Sequence, residues 1–209
     1  MIRIENTEVA GLRAAIRGMR NPMNSWAQSD SKFETSRISV GEKDFDLMTR
    51  LVFSGTDHSK FMRMITVSAD ITAPLYWWKE YDTYKVGTVA NSCSTMHKIS
   101  AKRFELDDFS HDKMHDSTMN ILEIVVNNLN YARDMYLAAD PEHQKSYWWQ
   151  MIQLLPTSYN QRRTVLLNYA VLRNIYHARR NHKLDEWRRF CEWIEELPYS
   201  ELITMKGVK

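Results

Sequence analysis

Only 6 glycines and 5 prolines are spread over 209 residues, and that scarcity limits the fold more than any other feature. An all-β sandwich or barrel turns about every 10 residues, and its turns draw on Gly and Pro for their special backbone angles. Helices are therefore expected to dominate. Hydrophobic residues make up 44% and charged residues 26% of the chain, which is globular usage and excludes a disordered or collagen-like chain. The length matches about one domain of ~150 residues with a small addition, so a single domain over 1–209 is expected.

With 28 Lys and Arg against 26 Asp and Glu, net charge gives no reason to expect a nucleic-acid or membrane partner, and any basic site must be local. Cys93 and Cys191 lie far apart, and no apolar run approaches ~20 residues. A soluble, reduced, cytoplasmic protein is the expectation. Two cysteines also fall short of a thiolate zinc site.

Val9, Leu12, Ile16 and Met19 recur at helical spacing and predict a first helix from Thr7 to about Asn21-Pro22. Met23 to Ser31 reads as a loop, too rich in hydrogen-bonding side chains to be filler. A second helix is expected from about Asp44 to Phe53, with Gly55 at its C-terminal end. Ile65, Val67, Ala69 and Ile71 alternate with Thr66, Ser68 and Asp70, the period of a half-buried strand. Pro74 suits the start of a helix running to Lys85, although the aromatics of that stretch suit a strand equally, and Val86 to Ser100 reads as a loop by composition. Leu122, Val125, Leu129, Ala132 and Tyr136 form one helical stripe. Asp140-Pro141 starts the next helix, which ends at Pro156. A long helix is expected from about Asn160 through Val165, Tyr169, Leu172 and Tyr176, and a last one carries Leu184, Trp187, Cys191 and Ile194.

His111 and His115, four residues apart beside Asp112 and Asp116, have the spacing of metal ligands on a helix. The same stretch reads equally as the acidic, solvated start of the following helix, and no metal site is expected. Cys93 is a nucleophile only if a base lies near it. Arg162, Arg163, Arg173, Arg179, Arg180, Lys183, Arg188 and Arg189 greatly outnumber Asp185 and Glu186 in one stretch, interleaved with Tyr and His. That composition suits phosphate, on a nucleic-acid face or in a pocket for a phosphorylated ligand, and equally a solvated helix face. Asn168 and Arg179, ~16 Å apart on one helical stripe, point to a pocket.

One block runs from Ala73-Pro74-Leu75-Tyr76-Trp77-Trp78 into Thr83-Tyr84-Lys85-Val86-Gly87-Thr88-Val89-Ala90-Asn91-Ser92-Cys93-Ser94-Thr95. It occupies the place of the signature Arg-His-Arg-x-x-Ser-x-Asn-Glu-x-Ser-x-Arg of the flavin-dependent thymidylate synthase family, which this chain resembles in two blocks. Thr83 and Tyr84 stand for Arg and His, Lys85 keeps the second charge, and Thr88 keeps a hydroxyl. Ala90 and Asn91 stand for Asn and Glu, and Cys93 and Thr95 for Ser and Arg. The second block is Leu155-Pro156 followed by Asn168, Leu172, Asn174 and Arg179, matching the family's Leu-Pro, Asn, Leu, Asn and pyrimidine-contacting arginine. Upstream, His58 matches a family histidine near the flavin.

The resemblance implies a helix-rich α+β fold with a small, mainly antiparallel sheet and a homotetrameric enzyme. Such an enzyme methylates dUMP or a related pyrimidine nucleotide using FAD, reduced nicotinamide and methylene-tetrahydrofolate. It also implies FAD contacts at His58, Lys85, Thr88, Asn91, Asn168 and Asn174, and nucleotide contacts at Arg179, Cys93 and Thr95, with Arg179 the catalytic group. Fixed positive charge at Arg179 suits negative charge developing on a uracil-like ring. The competing expectation is a non-catalytic binder of nucleotides or nucleic acid that keeps the scaffold. Trp77 and Trp78 suit a core as well as a cofactor.

Overall fold

A computed structural model describes residues 1–34 and 38–205. In chain order the elements are β1 (Arg3–Ala10), α1 (Leu12–Arg20), two short 3-10 turns, β2 (Lys32–Phe33), β3 (Ile38–Ser39) and α2 (Glu42–Phe53). A 3-10 segment (Ser59–Met64) leads to β4 (Thr66–Pro74), α3 (Leu75–Tyr81), β5 (Val89–Ser92) and α4 (Thr95–Lys98). Then come a 3-10 turn, α5 (Asp116–Ala138), α6 (Pro141–Leu154), β6 (Asn160–Asn168), α7 (Tyr169–Arg179), α8 (Asp185–Glu195) and α9 (Glu201–Thr204). Helices account for over half of this, around a small antiparallel sheet in the order β1-β4-β6-β5. β2 and β3 pair antiparallel by themselves. No described helix is long and apolar enough to cross a membrane.

The chain divides into two compact units. One comprises Met1–Arg3, Ile71–Thr83 and Asn91–Arg163; the other comprises Ile4–Asp70, Tyr84–Ala90 and the chain from Thr164 on. The first unit is built on α5 and α6, which bury Leu122, Val126, Leu129, Ala132 and Met151 with Phe104 and Phe109. Asn130 serves this core through the backbone: its amide donates to Phe104 O (2.9 Å) and accepts from Phe104 N–H (2.8 Å). Buried Phe104 thereby has both its main-chain groups satisfied. Trp77, Trp78 and Tyr81 of α3 pack mutually at 4.8 to 5.2 Å between ring centroids. Trp77 and Trp78 are therefore core residues.

In the second unit α1 buries Leu12, Ala15, Ile16 and Met19. The chain turns from β1 into α1 at Gly11 (φ +88°), where a Cβ would stand 1.9 Å from Met64 O, so only glycine fits. α7, α8 and α9 supply Leu172, Ile175, Trp187, Phe190, Ile194, Leu202 and Ile203 to the same unit's core. The polar loop expected at Met23 to Ser31 contains a 3-10 turn (Trp26–Gln28) and braces α2: Asp30 accepts the N–H groups of Lys43 and Asp44 in its first turn.

Three expectations are corrected. The residues Thr7 to Ala10 belong to β1, and the helix begins at Leu12. The helix expected from Asn160 is β6 followed by α7. The helix after Pro74 ends at Tyr81, and the loop from Val86 to Ser100 contains β5 and α4.

Candidate functional site

The junction of β6 and α7 is where the second unit gathers polar groups. Asn168, extended and only 8% exposed, is the N-cap of α7. Its Oδ1 accepts the Val171 N–H (3.0 Å), meeting one of the helix's orphan donors, and its Nδ2 donates to Gly87 O (3.3 Å). Gly87 has φ +76°, and a Cβ there would lie 2.8 Å from Asn168 Nδ2. This close approach requires glycine. The Thr88 hydroxyl donates to Tyr84 O (2.6 Å), closing the 84–88 loop on itself.

The same loop reaches the other end of α7. Arg179 Nε donates to the Tyr84 hydroxyl at 2.9 Å. The guanidinium carbon lies 5.0 Å over the Trp187 ring and 5.7 Å from the Tyr84 ring centroid, within cation–π range. Residues 84–88 are thus pinned at both ends of α7, a helix ~16 Å long.

Beside the cap lies a cleft of about 520 Å³. Val52, Phe53, Val86 and Val171 give it apolar walls; Thr56, Ser59, Asn168 and Asn174 give it hydrogen-bonding groups; Arg63 and Arg173 give it positive charge. No carboxylate is among the described residues lining it. Arg173 is held by the carbonyls of Leu202 (3.2 Å) and Ile203 (3.1 Å), and burial lowers its pKa from the ordinary arginine value. Apolar walls, amides and two cations form a surface suited to a flat ring carrying phosphate.

The remaining expected residues are dispersed. His58 is exposed and borders a separate cavity of about 720 Å³ walled by Met19, Leu47, Leu51, Phe61 and Met64. Lys85 is exposed and does not line the cleft, although Val86 and Gly87 beside it do. Asn91, Cys93 and Thr95 belong to the first unit. There Gln161 Nε2 donates to Cys93 O (3.0 Å) and Thr95 Oγ1 (3.1 Å), and Gln161 Oε1 accepts from Arg163 Nε (2.9 Å). Arg163 in turn pairs with Asp82 (2.7 Å) and stacks over Trp78 at 4.2 Å. The Cys93 side chain itself is exposed.

Asn168 and Arg179 do not share one pocket wall: Asn168 caps α7 and lines the cleft, whereas Arg179 sits at the helix end on Tyr84 and Trp187. The basic run does not form one phosphate face either, since Arg163 pairs with Asp82 and Arg188 with Asp185, and of the run Arg173 alone is among the described residues lining the cleft. His111 Nδ1 bonds Phe109 O (2.9 Å), and His115 precedes α5 as its N-cap residue. No group of three His, Cys, Asp or Glu among the described residues could hold a metal ion. The links Tyr84–Arg179 and Gln161–Cys93 escaped sequence reasoning, because both join residues far apart in sequence. The isolated Gly87 is the one local sign of a close approach.

No protein-family model matches the chain, and no curated protein does. Solved structures do resemble it. The flavin-dependent thymidylate synthase ThyX from Helicobacter pylori, complexed with FAD and dUMP, superposes with a TM-score of 0.70 at 16% identity, over 99% of this chain and 100% of that one. A UMP/dUMP methylase, PolB from Streptomyces cacaoi bound with 5-Br dUMP, gives 0.62 at 13% identity, over 99% and 96%. At these identities the likeness is one of fold: helix-rich α+β with a small antiparallel sheet.

Proposed function

We propose that this chain is a flavin-dependent, thymidylate-synthase-like enzyme that binds FAD and methylates dUMP or a related pyrimidine nucleotide. Reduced nicotinamide and methylene-tetrahydrofolate are its co-substrates in this reading. The observation that carries it is the α7 cleft, whose groups fit a flavin. Val52, Phe53, Val86 and Val171 exclude water from a ring, and Asn168 and Asn174 offer amides to its carbonyl edge. Arg63 and Arg173 offer charge to its phosphates. The flavin supplies redox chemistry when bound, and the protein supplies position and field. The fold shared with two proteins solved in complex with dUMP or its bromo analogue supports the substrate class.

In this reading Arg179 binds the pyrimidine and stabilises negative charge on it, a role that the neighbouring Trp187 ring favours by keeping water away. His58, Lys85, Thr88, Asn91, Cys93 and Thr95 do not line the α7 cleft; in this reading the first four contact cofactor, and Cys93 and Thr95 nucleotide, in sites shared between subunits. Assembly as a homotetramer is part of the proposal. Support comes from α5, which exposes Ile121 (61%), Ile124 (59%) and Tyr131 (65%) on the side away from its buried Leu122, Val126 and Leu129. A helix apolar on two faces suits burial on both.

The absorbance spectrum of the purified protein, followed by FAD titration, tests the reading. A yellow protein that binds FAD, and binds it more weakly as Asn174→Ala, is the expected result. A colourless protein that does not take up FAD, yet binds oligonucleotides in a salt-sensitive way, would establish the scaffold-only binder instead.

A further inference from the structure

Tyr84 and Arg179 are separated by 95 residues and joined by one hydrogen bond, Nε to hydroxyl at 2.9 Å. Two features make this bond a mechanical constraint on the guanidinium. The Trp187 ring under the guanidinium is wholly buried, and it meets Tyr84 and Phe190 edge-on at 6.0 and 5.8 Å, so the platform is rigid. The tyrosine backbone is itself anchored, through the Thr88 hydroxyl on Tyr84 O and through Gly87 on the α7 cap. Trp187 lies under the guanidinium carbon, and the Tyr84 hydroxyl ties down its Nε.

We infer that Tyr84 is a positioning residue that holds the Arg179 fork in one orientation before a pyrimidine nucleotide arrives. This rests on the reading of Arg179 as the nucleotide contact. An arginine side chain is long and rotamer-rich, and a ligand that must order it binds more weakly than one that finds it ordered. The planar fork gains most from such preorganisation, because its paired N–H bonds form only at one angle to their acceptors. A phenylalanine at position 84 would keep the ring contact with Trp187 and lose only the bond to Nε. The hydroxyl is therefore separable from packing.

The test uses protein supplemented with FAD. dUMP is titrated calorimetrically into wild type, Tyr84→Phe, Arg179→Lys and the double variant, with thermal unfolding as the check on folding. In parallel the Arg179 Nε–H is followed in arginine side-chain 1H–15N spectra without nucleotide. Tyr84→Phe is expected to weaken dUMP binding about tenfold, the cost of ordering one long side chain on binding, while still unfolding in one cooperative transition. In the Arg179→Lys background the same change adds nothing, since lysine has no Nε–H to hold. The Nε–H should exchange faster with water in Tyr84→Phe. Equal dUMP affinity of Tyr84→Phe and wild type overturns the inference. If wild type binds no dUMP, the reading of Arg179 falls by itself, and the spectra still judge Tyr84: unchanged Nε–H exchange then overturns its positioning role.

Discussion

Arg20 and Asp44 pair at 2.6 Å with side chains only 3% and 0% exposed. Two charges so placed persist only if every lone pair is answered. Asp44 receives three further bonds, from the Ser29 hydroxyl (2.6 Å), the Ser31 hydroxyl (2.5 Å) and the Ser31 N–H (3.1 Å). Burial pushes the Asp44 pKa up, but the serine hydroxyls and Arg20 outweigh it and hold the carboxyl below its ordinary value. A carboxyl lowered in the folded state contributes stability that is complete above the unfolded pKa of ~3.9 and is lost as pH falls through the folded value. Asp44→Asn leaves Arg20 buried without its counter-charge and should cost about 3–5 kcal/mol in urea unfolding at pH 7. The gap between wild type and variant should narrow below about pH 4. A gap of the same size at pH 7 and in acid would show that packing, not charge, is what the substitution removes.

At the scale of elements, the β6–α7 junction depends on two small residues. Asn168→Ala removes the cap and should cost ~1 kcal/mol of stability, read from denaturant midpoints. Gly87→Ala forces a left-handed Cβ against the Asn168 amide and should cost ~1–2 kcal/mol. Because the loop also lines the cleft, it should weaken FAD binding as well; unchanged FAD affinity in that variant would place the cofactor elsewhere. This junction is also where sequence and structure part. β4 is legible because its inward residues are apolar and its outward ones are Thr, Ser and Asp. β6 has the same alternation, with Val165 and Leu167 buried, but Leu166 points outward at 40% exposure and blurs the period. Val165, Tyr169, Leu172 and Tyr176 meanwhile keep helical spacing straight through the junction. β1 buries too little to show a pattern, and β5 is exposed throughout. The second block singles out Asn168 and Asn174, and the structure puts both on the wall of the cleft. The juxtaposition of Arg63 with Arg173 in the cleft, and the Tyr84 link, needed the chain folded, since only tertiary structure brings 63 and 84 to the helix that carries 173 and 179.

At the scale of the whole molecule, the outward face of α5 bears on assembly. Light scattering at micromolar concentration should report a tetramer for wild type, and Ile124→Lys, which places a charge on that face, should shift it to smaller species with helicity unchanged. A wild-type monomer would remove the homotetramer from the proposal. The two cysteines have a different consequence for the intact chain. Cys191 is 3% exposed and its thiol is pushed up to about 12 by burial, whereas Cys93 is exposed. Only the thiolate reacts, so native protein should titrate as one thiol per chain with Ellman's reagent and as two once unfolded. The wild-type sequence thus carries its own single attachment point for a spin label or fluorophore. Because that point is a residue assigned here to nucleotide binding, dUMP should slow its modification, and a rate indifferent to dUMP would detach Cys93 from the nucleotide.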